Sequence, residues 1–467
     1  MKHFDVVILG AGSAGELIAT TLSATGRSVA LVERLRVGGE CAYVACMPSK
    51  AMLRSAQIRK MATATVELGA TRTPLELDDE INAFRWAAAR RDRISEYRND
   101  SAAVAAIIEA GVVLFRGNGY ITGPNLISIN QDEISWGDLV IATGSLPSLP
   151  KIKGMETIDP WMSDDALSAK DCPRSVLIVG GGPVGCELAQ VFVRFGSETT
   201  LVQNEPQLAG TEHPDVAVRL REILEDDGVT VFLNTEVIEF EMSTDKQTLA
   251  HLSNGSNILV ERVIIASGRH PDTAKLGLGI LGVEVDPKGA IRVDKHCRVV
   301  GQEHIWAAGD VTGVAPFTHT ANYQGRIVSS NLIGVEQDAN YAAIPRVIYT
   351  DPPLASVGKM ADLKDEEGFI TSRIVLDDLS RTVTDGGRGG LLVLTADPVR
   401  GVLVGASAIG PRADEWLAEA TLAIRAEIQL SLLCDVVHAF PTYGEAFERP
   451  LRELVNQVPP VVSLAIE

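Results

Sequence analysis

The apolar run Val6-Val7-Ile8-Leu9 is followed by Gly10-Ala11-Gly12-Ser13-Ala14-Gly15 and then by Glu16-Leu17-Ile18-Ala19. A short apolar segment closed by glycines, with mixed apolar and polar positions after it, predicts strand, tight turn and helix. Ser28-Val29-Ala30-Leu31-Val32 predicts a second strand, which ends in Glu33. The same order returns downstream: Ser175-Val176-Leu177-Ile178-Val179, the turn Gly180-Gly181-Gly182-Pro183-Val184-Gly185, and a helix from Cys186 to Phe192. A further strand, Glu198 to Val202, ends in Gln203. Between the repeats, Met52 to Glu109 predicts helix with one buried face, and its charge run Arg90-Arg91-Asp92-Arg93 reads as solvated. Near the end, Gly390–Leu394 and Gly401–Gly405 predict antiparallel strands, and Asp414 to Ala426 predicts a helix.

Each glycine of the repeated turn has a physical role. Gly10 and Gly180 allow the sharp turn, Gly12 and Gly182 let a pyrophosphate approach the backbone, and Gly15 and Gly185 let helix and strand pack closely. Ser13, Ala14, Pro183 and Val184 then begin helices whose N-termini favour phosphate. Glu33 is placed to accept hydrogen bonds from an adenosine ribose. Gln203, at the equivalent place, is neither that acid nor part of an arginine cluster for a 2′-phosphate, which leans the second site toward NADH over NADPH. Two dinucleotide sites are therefore expected on one chain.

Cys41 and Cys46 lie between Gly38-Gly39-Glu40 and Met47-Pro48-Ser49-Lys50. The spacing is too wide for a zinc CxxC, and no second Cys/Cys or Cys/His pair lies nearby to complete four ligands, so no metal site is expected. A structural disulfide is the plainer alternative to a redox-active one; reducing intracellular conditions disfavour it. Glu40, beside Cys41, is expected to raise that thiol's pKa. Cys172, Cys186, Cys297 and Cys434 are isolated and read as inert thiols.

The length of 467 residues suggests about three domains, and aliphatic strands with 42 glycines and few aromatics fit an α/β protein. A net charge of −19 argues against nucleic-acid partners and against affinity for anionic membranes. No apolar run is long enough to span a bilayer and no signal segment precedes the first strand, so a cytoplasmic location is expected.

The order of first glycine turn, GGxCxxxxCxPSK segment, second glycine turn and terminal Pro441-Thr442-x-x-Glu445 resembles the pyridine nucleotide-disulfide oxidoreductases, a family that includes dihydrolipoamide dehydrogenase, glutathione reductase and mercuric reductase. Further segments are similar: Ile141-Ala142-Thr143-Gly144-Ser145, Ala266-Ser267-Gly268-Arg269-His270-Pro271, Ala307-Ala308-Gly309-Asp310, and Ile344-Pro345-Arg346-Val347-Ile348-Tyr349-Thr350. The resemblance implies an α/β fold with two Rossmann-like dinucleotide-binding domains and a C-terminal α+β dimerisation domain. Residues 1–150 would form the first part of the FAD domain, 151–275 the NAD(P)H domain, 276–340 the return to the FAD domain, and 341–467 the interface domain of a homodimer with the active site at the subunit interface.

It also implies roles for individual residues. Cys46 would face the flavin and Cys41 the acceptor, while Lys50 would pair with Glu187 near the flavin. Cofactor contacts are implied at Gly39, Glu40, Cys41, Lys50, Gly119, Thr143, Gly144, Ser145, Glu187, Gly268, Arg269, Gly309, Asp310, Thr318 and His319, with Asp310 on the ribityl chain.

One departure stands out. The family carries a histidine directly before the Pro-Thr, where it shuttles a proton; here that residue is Phe440. Glu445, which would orient the histidine, is retained, and His438 lies two residues earlier. If the segment is extended, His438 points to the same side as Phe440 and could substitute for the base. The expectation is an FAD-dependent enzyme moving electrons from NAD(P)H through Cys41-Cys46 to an acceptor that needs no histidine base: a metal ion, a quinone or another small electrophile. Two alternatives stay open, a reductase of a small disulfide with His438 or water as the base, and a non-catalytic redox-sensing flavoprotein.

Overall fold

Side chains alternate across a strand, and that alternation builds the first unit. In the computed structural model, which describes residues 2–243, 245, 247–359 and 368–458, the strand Lys2–Leu9 sends Val6 and Ile8 into one core and Val7 and Leu9 into another. Both faces are thus covered, as parallel sheets require. Lys2–Leu9 lies between Val29–Glu33 and Asp132–Ile141, parallel to both, and Val113–Arg116 extends the sheet beyond Val29–Glu33. The long strand Asp132–Ile141 serves two neighbours on its other edge: its first half pairs antiparallel with Leu126–Ile129, and its second half pairs parallel with Ile305–Ala307. The chain leaves this sheet after Ile141 and returns to it 164 residues later.

The excursion contains a second parallel sheet, ordered Thr230–Phe232, Glu198–Val202, Ser175–Val179 and Arg262–Ile265. A three-stranded antiparallel meander, Val237–Val260, covers one side. Outgoing and returning chains pair as a two-stranded ribbon, Ser145–Pro147 against Arg269–Pro271, and this ribbon joins the two nucleotide-type units. The third unit is a five-stranded antiparallel sheet from Arg346 to Ile409, backed by helices that share the core of Leu394, Ala408, Leu417 and Phe447. The α/β class with two glycine-turn units and a C-terminal α+β unit agrees with expectation. The stretches 360–367 and 459–467 of the expected interface domain lie outside the described residues.

Local details differ from the reading of the sequence. The helix expected from Asp414 to Ala426 is two short helices, Ala413–Trp416 and Ala418–Arg425, interrupted at Leu417. The region from Met52 to Glu109 holds three helices, Cys46–Ala62, Glu80–Ile94 and Ser101–Glu109. Within the charge run, Arg91 is fully buried instead of solvated: its Nη1 donates to the Ala169 carbonyl at 2.8 Å and its Nη2 to Asp92 at 2.8 Å. The guanidinium ties this helix to the segment leading into the second unit. A shared core of Met52, Phe84, Phe192, Ile348 and Leu354 then packs all three units together. Among the described residues, no helix is long and apolar enough to cross a membrane.

Candidate functional site

The two glycine turns have the same construction. Gly10 adopts φ +98° and Gly180 φ +112°, and a Cβ at either would collide with a backbone carbonyl, Ala142 in the first case and Ala266 in the second. Gly15 and Gly185 press on the carbonyls of Gly10 and Gly180. Gly12 and Gly182 have open space where a Cβ would be, so each loop keeps an empty cradle in front of its helix N-terminus. This is what a pyrophosphate needs, and the residues present fit FAD and a nicotinamide dinucleotide.

The acid at the end of the second strand also has a counterpart. Glu33 Oε2 accepts from Ala11 N at 2.7 Å, and Oε1 accepts from Leu35 N at 2.6 Å. Gln203 Oε1 accepts from Gly181 N at 2.9 Å. An N–H can donate only to the amide oxygen, so this bond orients Gln203 with its NH₂ as the remaining donor.

Both cradles open on one continuous cleft of about 2010 Å³. Every residue expected to touch a cofactor lines it, except Gly15 and Gly185, which are used in packing. Cys41 and Cys46 face the same space. Cys41 lies in the five-residue helix Gly39–Tyr43, entered through left-handed Gly38. Cys46 is the first residue of Cys46–Ala62, so that helix begins before Pro48; a proline in the first turn lacks only an N–H that would have no helical partner.

The two sulfurs are electrostatically unequal. The Cys41 thiol hydrogen-bonds the Cys46 sulfur, and this contact, against the opposing effect of burial, pulls Cys46 down to about 6. The Thr318 hydroxyl, 3.5 Å from Cys46 Sγ at the start of the helix Thr318–Leu332, adds to the effect, as does the Lys50 ammonium. Cys41 is held well above the ordinary thiol range, first by its bond to Cys46 and then by burial. The direction matches the sequence reading, but the cause does not: Glu40 is occupied by Arg269, with Oε2 2.6 Å from Nη2. In the reduced pair Cys46 is thus the more acidic thiol and Cys41 the one that holds its proton.

Lys50 Nζ donates to both Glu187 oxygens, at 2.9 and 3.1 Å, and lies 4.6 Å from the centroid of the Tyr349 ring. Tyr349 N donates to Glu187 Oε1 at 2.9 Å, so all three units meet at this carboxylate. Ser145 Oγ donates to Asp310 Oδ2 at 2.6 Å, and Thr143 Oγ1 donates to the Asp272 carbonyl. His319 Nε2 donates to the Pro345 carbonyl at 2.9 Å, and burial lowers the pKa of its ring. Burial pushes Cys172 up to about 12 and Cys297 up to about 11, and it raises Cys186 as well, consistent with unreactive thiols.

The C-terminal segment turns at the place of the expected base. A turn begins just after His438: Thr442 Oγ1 donates to the Ala439 carbonyl at 2.7 Å. His438 and Phe440 differ in burial. The His438 side chain is 8% exposed, its Nε2 lies 3.0 Å from Glu419 Oε2, and its ring stacks on Phe447. Phe440 is 73% exposed. Glu445 Oε2 accepts from Thr442 N at 2.9 Å and so caps its own turn.

Sequence reading missed Tyr349 as a site residue, the Glu40–Arg269 pair, and Glu419 as the partner of His438. Tyr349 did stand in a recognised segment. Nothing local in the sequence marks the other two pairings, whose members come from distant segments.

A chain with two glycine-cradle nucleotide units opening on a shared cleft beside a cysteine pair has the architecture of a two-nucleotide flavoprotein oxidoreductase. Comparison with known proteins narrows this. Residues 4–325 match the pyridine nucleotide-disulphide oxidoreductase family and residues 344–451 match that family's dimerisation domain, so the chain belongs to this family. It is 31% identical to a mercuric reductase of Streptomyces lividans over 466 residues, covering 97% of each chain. It is also 31% identical to a dihydrolipoyl dehydrogenase of Thermus scotoductus, covering 98% of each. Among solved structures, the Cu(II) complex of the HOCl-induced flavoprotein disulfide reductase RclA from Escherichia coli superposes with a TM-score of 0.84 at 26% identity, over 97% of this chain and 100% of that one. The protein is an FAD-dependent oxidoreductase that uses NAD(P)H.

Proposed function

We propose that this protein, as a homodimer, takes an electron pair from NAD(P)H and delivers it by way of Cys41 and Cys46 to a thiophilic metal ion, with a quinone or similar small electrophile as the other acceptor class. FAD, when bound, supplies the relay between nicotinamide and sulfur. Gly12 with the start of the first helix would hold its pyrophosphate, Asp310 its ribityl chain, and the Lys50–Glu187 pair would place an ammonium where negative charge develops. Gly182 and Gln203 would hold the nicotinamide dinucleotide. Gln203 presents no arginine fork to a 2′-phosphate, which supports NADH as the preferred donor. Cytoplasmic placement fits a consumer of reduced nicotinamide.

The observation that carries the acceptor class is the exposed Phe440 at the place of the proton shuttle, with His438 held inside by Glu419. Reduction of a disulfide substrate must protonate a leaving thiolate; Phe440 carries no titratable proton, and the His438 Nε2 is engaged by Glu419. A soft metal ion needs no such help: as it meets both sulfurs, the proton of Cys41 is displaced to solvent, and closing the S–S bond again releases two electrons, both to one Hg(II) or one to each of two Cu(II) ions. Two of the named relatives support this reading, one a mercuric reductase and one solved with Cu(II), whereas the dihydrolipoyl dehydrogenase is as similar and favours neither metal nor quinone.

The test is an acceptor panel of Hg(II), Cu(II), benzoquinone, lipoamide and glutathione disulfide, followed by NADH oxidation. The metal ions or the quinone should turn over fastest, and Cys46→Ser should abolish metal turnover. Faster turnover of lipoamide or glutathione disulfide would reject the proposed acceptor class.

A further inference from the structure

Glu40 directly precedes Cys41, and a bare carboxylate at that place would oppose any negative charge gained by the cysteine pair. It is not bare. Its Oε2 accepts from Arg269 Nη2 at 2.6 Å, across 229 residues of chain. The guanidinium is held in place by the ribbon that joins the two nucleotide units: Nε donates to Ser145 Oγ at 2.8 Å and Nη2 to the Ser145 carbonyl at 2.7 Å. Ser145 Oγ in turn donates to Asp310 Oδ2 at 2.6 Å. All four side chains face the cleft that holds Cys41 and Cys46. The side chains that act directly on the two thiols, besides each other, are the Lys50 ammonium and the Thr318 hydroxyl; Glu40 and Arg269 stand further out on the same cleft.

We propose that Glu40 and Arg269 form a charge-balancing pair that sets the reduction midpoint of the Cys41–Cys46 couple, both acting as positioning residues. The proposal rests on reading Cys41 and Cys46 as a redox couple. At neutral pH, reduction breaks the S–S bond with two electrons and one proton, leaving Cys41 as thiol and Cys46 as thiolate. With dithiothreitol as reductant, its two thiols close to a cyclic disulfide, one of its protons stays on Cys41 and the other goes to solvent. The reduced state therefore carries one more negative charge than the oxidised one. An unpaired Arg269 would favour it and an unpaired Glu40 would oppose it, while the salt-bridged pair cancels.

The experiment equilibrates the FAD-loaded protein with dithiothreitol buffers and traps free thiols, for wild type, Glu40→Gln, Arg269→Gln and the double variant. Glu40→Gln should move the couple toward the reduced form by roughly three- to tenfold, and Arg269→Gln should move it the opposite way by a similar factor; a tenfold change is about 30 mV for this two-electron couple. The double variant should lie within about twofold of wild type. Arg269→Lys keeps the charge without the fork and should also stay near wild type, which separates charge from loss of the Ser145 bonds.

A merely structural strap would shift both single variants in the same direction, and that result, or no shift in either, overturns the proposal. If wild type shows no dithiol step at Cys41 and Cys46, the underlying reading fails as well. An intact step with unopposed shifts sinks only the charge-balancing pair.

Discussion

Lys50 Nζ lies 2.9 Å from Glu187 Oε2, joining a helix that starts at Cys46 to a helix that starts beside the second glycine turn. The carboxylate is 8% exposed and the lysine 37%. The ion pair is therefore shielded on one side only, and part of its strength is screened by water.

Lys50→Met should lower unfolding stability by about 1–2 kcal/mol, because Glu187 keeps only the Tyr349 N–H as a close donor. Glu187→Gln, which retains that donor and the shape, should cost less. Denaturant unfolding of the FAD-loaded proteins checks the order. Stopped-flow reduction by NADH should be slower in Lys50→Met, since the ammonium is lost where negative charge develops.

Cys46 should behave as a thiol of pKa about 6 in the reduced protein. Alkylation by iodoacetamide should rise as pH passes that value and level off above it. Thr318→Val should move the midpoint upward and Thr318→Ser should restore it, because only a hydroxyl can donate to the sulfur. The native pKa lies below the unfolded value of about 8.5, so the thiolate's stabilisation is complete above about pH 8.5 and is lost as pH falls through about 6. Stability of the reduced protein should rise across that window, and Cys46→Ser should flatten the rise.

Phe440→His places an imidazole at the exposed position before Pro441. Turnover of lipoamide or glutathione disulfide should increase by about 10²-fold or more, the usual worth of a positioned acid/base. His438→Ala should instead cost about 1–3 kcal/mol of stability, since it leaves Glu419 without its partner and opens a cavity on Phe447, with little change in metal turnover. Loss of metal turnover in His438→Ala at unchanged stability would contradict this assignment.

Gly12→Ala puts a methyl group into the first cradle and should lower FAD content while the protein stays folded. Gly182→Ala should leave FAD content unchanged and raise KM for NADH. Visible flavin absorbance and steady-state kinetics distinguish the two. Gly15→Ala and Gly185→Ala should yield little soluble protein, because their methyl groups would strike backbone carbonyls that cannot move without unseating a helix.

Much of the fold was legible along the chain because its signals are local. Apolar runs of strand length, glycines at the turns that follow them, and the cysteine pair before Pro48 each depend on a few consecutive residues. Those features determined the two nucleotide units, their order, and the presence of a third unit. Tertiary structure decided the rest, because charge and burial are set by neighbours far apart in sequence. It turned His438 inward onto Glu419 and left Phe440 exposed, a difference that two residues so close in sequence do not announce. It buried Arg91 beneath Ala169. It also brought Arg269 to Glu40, so that an acid which in sequence stands bare beside the cysteine pair is, in the folded protein, already paired.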